Sequence, residues 1–437
     1  MLIFFIAAFL IISPMIILYT AGYRYDWQNG FLKQTGAISI DIQPKNTVIY
    51  LNGIMLKDKM PVRLNNIAPA KYFLKMSAPG YFDWTKYIEV QNKQTTYIKE
   101  ISLLKKTDPQ ILIKEDMDNF ALSKNNGFIL YTVKNNGGED IRLWNIKGQK
   151  STLIRHLGQQ APLNLEWSSD YYATVSNLNP PYSNLIIINS QNPSEITDLA
   201  AGATSTITKF EWDDSSGQLY YGTKNGIYAF SPVGGQTAFI AKNPYLDWYM
   251  ENSQLWTLQL DTTTKAYEII KDALGFKSVF NSLDPAVPDA PVKNPKDWRI
   301  LAVRQDSVLL KDTTQSEMAM ITADKIYNFS GDKFLISKYN DWWLMWTQWE
   351  LWSYSQGQDP YLLNRSGEHL NDVFPLDQYN TLGLIWESKA TALYPYYLVT
   401  HDLLDQKIDA AAADTDNKIL YFTAKINDEY GIWSLNY

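Results

Sequence analysis

A mainly β fold is predicted, built from many short strands behind one apolar N-terminal helix. Three observations predict it. Aromatic residues make up 14% of the 437-residue chain, with 29 Tyr and 15 Trp, and large flat side chains suit pleated, half-buried surfaces. Alternating apolar runs are broken by Asn, Gly, Asp and Pro, the residues of tight turns. A strand–turn–strand unit also returns again and again through the last three quarters of the sequence. At this length two or three domains are expected.

The first element is the stretch from Leu2 to Tyr19, almost wholly apolar, with no charged side chain before Arg24. As a helix it is about 27 Å long, close to the thickness of a bilayer core. Tyr19, Tyr23, Tyr25 and Trp27 follow where such a helix leaves the lipid, as interfacial aromatics do. The segment lacks the basic start of a signal peptide, and Tyr19-Thr20-Ala21 is a poor cleavage site. Residues 1–22 are therefore expected to be an uncleaved transmembrane anchor. Arg24 and Lys33 behind it direct the bulk of the chain to the cytoplasm by the positive-inside rule.

The second element spans residues 35–103. Ile38, Ile40 and Ile42 alternate with polar residues, and Pro44-Lys45-Asn46 breaks the run. Val48 to Leu51 and the Asn52-Gly53 turn follow, and the first two runs are expected to pair. Pro61 to Leu64, Lys71 to Met76 and Tyr87 to Val90 complete a small sandwich, with Tyr81 and Trp84 as core material. Pro44, Asn52-Gly53, Pro61 and Gly80-Tyr81 stand where a PEGA domain has its signature residues, and the stretch resembles that family. The resemblance implies a binding or spacer module without catalytic residues.

The third element, 109–437, holds the repeats. Clear copies are "FALSKNNGFILYT" from Phe120, "LEWSSDYYATV" from Leu165, "FEWDDSSGQLYYGTKNGIYAF" from Phe210 and "DWYMENSQLWTLQL" from Asp247. Others begin at Asp297, Lys333, Leu376 and Ala410. They recur about every 41 residues, within the ~40–45 of propeller blades. A seven- or eight-bladed β-propeller is expected, similar in its turns to TolB-like and WD40-like propellers. After Ala410 there is room for three strands only, so Gln110 to Glu115 is expected to supply the fourth and close the ring. Residues 272–297, rich in Pro and Asp, read as an insertion between blades.

Chemistry is sparse in this sequence. A net charge of −7 with no basic run excludes a nucleic-acid binder. The absence of Cys excludes disulfides, thiol catalysis and Cys-ligated metals. His156, His369 and His401 are far apart and lack metal-ligand spacing. Asp213, Asp214, Asp247, Asp297, Asp377 and Asp414 fall at turns or strand starts, where an Asp side chain bonds its own backbone. Asp414 to Lys418 lacks the Gly and the bidentate Glu of a calcium loop. No catalytic residue, cofactor or metal is expected.

The stretch "DWWLMWTQWELWSYS" stands out. As a hairpin turning at Thr347-Gln348 it places Trp342 and Trp346 on one face and Trp343 on the other, with Trp349 opposite Trp352. Packing between blades absorbs some of these rings. Trp342, Trp346, Trp349 and Trp352 form a candidate surface for sugar rings or a partner's apolar side chains.

The combined reading is a single-pass protein of the cytoplasmic membrane, with one helix, a PEGA-like stalk and a propeller. PEGA-containing bacterial proteins of this architecture carry their bulk outside the membrane, and that resemblance is preferred here to the orientation given by two basic residues. The expected function is non-catalytic binding of an envelope protein or cell-wall glycan. The alternative is a glycosidase-like propeller enzyme, which needs two carboxylates facing each other in the central channel.

Overall fold

The computed structural model describes the chain apart from residues 1, 21, 27–30, 136, 159–161, 169–170, 214, 244, 262, 264–265, 274–275, 284–296 and 340–341. Eight four-stranded antiparallel sheets follow one another from residue 110 to 436. Their first strands are Met117–Leu122, Leu163–Trp167, Ile207–Asp213, Asp247–Glu251, Trp298–Arg304, Lys333–Ile336, Leu370–Pro375 and Ala410–Asp414. Several of these strands touch their counterparts in neighbouring sheets, and their ends surround a common basin. The eighth sheet takes its outermost strand, Gln110–Ile113, from the start of the repeat region, paired antiparallel with Glu429–Asn436. The closure expected for residues 110–115 is the one observed.

Ring closure is also visible in the cores. A separate apolar cluster lies between each pair of adjacent blades, all the way round. Blades one and two share Leu143, Leu165 and Val175, while blades eight and one share Tyr421, Ile432 and Tyr131. Each sheet is thus buried on both faces, which explains the nearly continuous hydrophobic second strands such as Leu382–Trp386.

A repeated local device ends the first strands. Ser123 Oγ accepts from the backbone N–H of Gly127 and Phe128 at 3.0 and 2.9 Å. Asp377 accepts from Tyr379 and Thr381 at 2.9 and 3.0 Å, and Asp414 from Asp416 and Asn417 at 3.1 and 2.9 Å. Short polar side chains that bond the next turn are the reason the repeat carries Ser or Asp here.

Two sequence readings are corrected. Residues 272–297 are not wholly an insertion: Phe276–Leu283 is the outer strand of blade four, and 284–296 lie outside the described residues. In the small domain, Gly36–Gln43 and Val48–Leu51 do not pair. Gly36–Gln43 sits between Val62–Ile67 and the parallel strand Thr95–Ser102, whereas Val48–Leu51 sits in a second sheet beside Ala70–Ser77. The Pro44 break lets the chain cross from one layer to the other, so each alternating run finds its partner far away in sequence.

The small domain is packed directly on blades seven and eight. Ile40, Leu74, Trp84 and Ile101 share one core with Leu376, Tyr394, Phe422 and Tyr437. Tyr394 Oη donates to Ser102 O at 2.7 Å and Tyr397 Oη to Lys99 O at 2.8 Å. Lys86 donates to Tyr397 O and Lys418 to Ser102 Oγ.

The expected anchor is a helix over Leu2–Thr20, with Phe4, Phe9 and Ile11 among its exposed apolar residues. Counted over the described residues, no helix is long and apolar enough to cross a membrane. Trp27, the last of the expected interfacial aromatics, lies outside the described residues. Arg24 joins the helix to the small domain: NH1 donates to Tyr19 O at 2.8 Å, and Nε to Asn66 Oδ1 at 2.7 Å.

Candidate functional site

Alternating hairpins put the first-to-second and third-to-fourth turns of every blade on one face of the ring. At its centre the first strands end around an open basin of about 870 Å³. Asn126, Asp213, Tyr249, Glu251, Arg304 and Lys338, from five different blades, line it. Charges of both signs meet here. Asp213 is committed to structure: Ser215 and Ser216 donate to it at 2.7 and 2.8 Å, and Ser253 N of blade four at 3.1 Å. Burial raises its carboxyl, but these donors outweigh burial and hold it below the ordinary carboxylate value.

Further along the same strands a charged cluster lies on the channel wall. Lys209 Nζ of blade three is 3.0 Å from Asp247 Oδ1 and 3.5 Å from Glu211 Oε1, and donates to Ile300 O at 3.2 Å. Asp247 also accepts from Trp248 N at 2.9 Å and Ile300 N at 2.7 Å. Both Asp247 oxygens are therefore engaged, and the residue ties blades three, four and five together. Glu211 differs. Solvent reaches 24% of its side chain, yet protein surrounds it, and this burial pushes its carboxyl up to about 8 against the pull of Lys209.

These positions show where the acids considered as a carboxylate pair lie. A glycosidase holds two carboxyl groups across an empty gap that takes the sugar bond. Glu211 and Asp247 share one ammonium, Lys209 Nζ, at 3.5 and 3.0 Å. Of the other acids considered, Asp377 and Asp414 cap turns, Asp297 pairs with Arg299 at 3.0 Å, and Asp214 lies outside the described residues. Among the described residues no three His, Asp or Glu side chains gather as a metal site. His156 pairs with Asp140 at 2.8 Å, and His401 lies between Phe82 and Tyr394.

The tryptophans separate as their alternation requires. Trp342 and Trp346 join the core between blades six and seven, while Trp343 and Trp352 join that between blades five and six. Trp346 is buried. The hairpin turns one residue later than the sequence suggests, because Thr347 Oγ1 accepts from the N–H of Trp349 and Glu350, both at 3.1 Å. Trp349 therefore sits in the turn, 41% exposed, edge-on to His369 at 4.4 Å. It does not oppose Trp352, whose partner is Met345. Trp352 Nε1 donates to Glu350 at 3.0 Å. The four candidates do not form one surface.

Trp342 opens onto a cavity. It lines a cleft of about 280 Å³ between blades six and seven, on the same face as the basin. Tyr396 meets it at a ring distance of 5.3 Å and a tilt of 53°, and Tyr361 lines the cleft from blade six. Tyr361 and Tyr396 are 55% and 57% exposed. Sequence reasoning missed both. The available signal was aromatic density in two turns, "DPYLL" and "YPYYL", which repeat periodicity alone treats as ordinary.

Residues 35–103 match the PEGA domain. No curated protein sequence matches the chain. Among solved structures the chain is similar to the Dos1 propeller, at 12% identity over 76% of this chain and 95% of that one, with a TM-score of 0.48. It is also similar to dipeptidyl peptidase 4 of Porphyromonas gingivalis, at 9% identity over 72% and 57% of the two chains, TM-score 0.45. The WD40 domain of SCAP from fission yeast gives 10% identity over 76% and 98%, TM-score 0.39. The fold itself rests on the PEGA match and on the eight closed sheets.

Proposed function

We propose that this PEGA and propeller chain is a non-catalytic, membrane-anchored envelope protein that holds a partner on the turn-bearing face of its ring. One observation carries the reading: the acids of the channel serve structural bonds, while the basin and the aromatic cleft offer open, chemically mixed surface. Rigid rings with such a face suit recognition, where buried aromatic and Arg anchors dominate affinity. The apolar helix Leu2–Thr20, with exposed Phe and Ile side chains and no charge, supports anchoring. The bulk of the chain is proposed to lie outside the cytoplasmic membrane.

Two measurements test this. The chain has no Cys, so Val233→Cys, at a site 77% exposed on blade three, is labelled with a membrane-impermeant maleimide. Equal labelling of intact and lysed cells is expected; labelling only after lysis overturns the location. A photo-crosslinker at Arg304 in the basin should then trap a discrete partner that the same crosslinker at Lys224, in the second-to-third turn of blade three on the opposite face, does not.

A second reading has its own observation. Glu211, whose carboxyl burial raises, and Asp247 share the Lys209 ammonium, two carboxyl groups in unlike surroundings as an acid–base pair has them. A carbohydrate-active enzyme would show oligosaccharide hydrolysis that Glu211→Gln abolishes.

A further inference from the structure

We propose that the cleft between blades six and seven is a saccharide subsite, taking one pyranose unit of a neutral glycan. This rests on the reading of the turn-bearing face as a binding surface, and names the ligand class of one part of it. The lining has two sides of different chemistry. Trp342, Tyr361, Pro395, Tyr396 and Leu398 give an aromatic and apolar wall, whereas Ser353, Ser355, Gln358 and Asp359 contribute hydroxyls, an amide and a carboxylate. A pyranose is amphipathic in the same way, with a C–H face that lies on aromatic rings and a hydroxyl edge that needs donors and acceptors.

Trp342 and Tyr396 pack against each other at 5.3 Å with a tilt of 53°, and both contribute to the lining of the cleft, so the aromatic wall is held in place before a ligand arrives. Asp359 is set as an acceptor. Tyr327 Oη donates to Asp359 Oδ1 at 3.0 Å and Lys325 Nζ lies 3.4 Å from the same oxygen. The Tyr327 hydrogen bond first, then the Lys325 charge, hold the carboxyl below its ordinary value. Among the described residues lining the cleft, Asp359 is the one that carries a charge. Lys325 is already paired with Asp359, so no free cation is offered to a phosphate or carboxylate ligand, while the carboxylate still accepts hydrogen bonds from sugar hydroxyls. It is also a single acid. With no second carboxyl among the described lining residues, the cleft is read as holding a sugar without hydrolysing it.

The test is isothermal titration of the full chain, in a detergent without a sugar headgroup. The probes are hexasaccharides of β-1,4-linked glucose and of β-1,4-linked N-acetylglucosamine. Saturable binding of at least one is expected. Tyr396→Ala and Tyr361→Ala, both at exposed positions that should not disturb folding, should each weaken it about tenfold or more, and Asp359→Asn several-fold. Val233→Ala, far away on blade three, should leave it unchanged. No saturable binding of either sugar overturns the proposal, and so does binding that the two Tyr variants leave intact. A proline-rich peptide that binds in place of the sugars, and is lost in the same variants, overturns the saccharide assignment while the non-catalytic reading stands. Shortened oligosaccharides recovered after incubation would instead overturn the non-catalytic reading.

Discussion

At the residue scale, Glu211 is where burial and charge compete most directly. Its carboxyl holds a proton up to about pH 8 in the folded chain, but only to about 4.3 in the unfolded one. Between those values the unfolded chain has released a proton that the folded chain keeps. Fewer protons on the unfolded state mean that stability falls as pH rises through this window, then levels off above it. Glu211→Gln removes the titration. Thermal melts of the two proteins should coincide near pH 4.5 and diverge on the way to pH 8.5, with the variant melting several degrees higher at the alkaline end. Parallel curves would show that Glu211 is ionised and satisfied in the channel. The neighbouring acid, Asp247, has a structural part. Asp247→Asn leaves Lys209 with a weaker partner in a wall that joins three blades, and loss of a buried pair member costs about 3–5 kcal/mol, read as a lower melting temperature at every pH near neutrality. Neither role was legible in "KFEWD" or "LDWYM", because the surroundings that define each residue come from other blades.

At the element scale, ring closure depends on close backbone approach. A Cβ on Gly431 would lie 2.1 Å from Ile113 O, in the strand pair that joins the two ends of the propeller. Neither backbone can yield without breaking the ladder. Gly431→Ala should therefore destabilise the chain by about 1–3 kcal/mol, in the range of overpacking. Gly158→Ala meets open space and serves as the control, expected to change stability by less than about 0.5 kcal/mol. Closure by residues 110–115 was readable from sequence because it follows from counting strands at the two ends. Blade identity was readable because Ser or Asp recurs where most of the first strands end, as at Ser123, Asp213, Ser337, Asp377 and Asp414. The outer strand of blade four escaped the count. Phe276–Leu283 carries polar residues on its exposed edge and runs into a Pro-rich stretch, so its composition matched a loop better than a strand. The cleft was half readable: Trp342 stood out by density, whereas Tyr361 and Tyr396 reach it only because the turns of two blades converge.

At the scale of the whole molecule, the PEGA domain is a fixed part of the propeller's body. Its sandwich completes the core of blades seven and eight, and Trp84 packs edge-on to Tyr394 and Tyr397 at ring distances of 6.5 and 5.4 Å. The sequence reading took this domain for a stalk, since none of its residues signals what lies against it. A shared core makes a different mechanical prediction. Scanning calorimetry should show the two domains melting in one transition, because neither buries its apolar surface without the other. Trp84→Ala, which empties a fully buried site, should lower that single transition by the equivalent of about 3–5 kcal/mol. Tyr397→Phe, which removes the hydroxyl bonded to Lys99, should lower it by about 1 kcal/mol. Two separate transitions, with only the PEGA one shifted, would restore the stalk. If the transition is single, the orientation of the turn-bearing face is set through PEGA and Arg24 by the N-terminal helix. Any anchor at that helix would then present the basin and the cleft at a fixed angle, and a partner would meet them as one rigid surface.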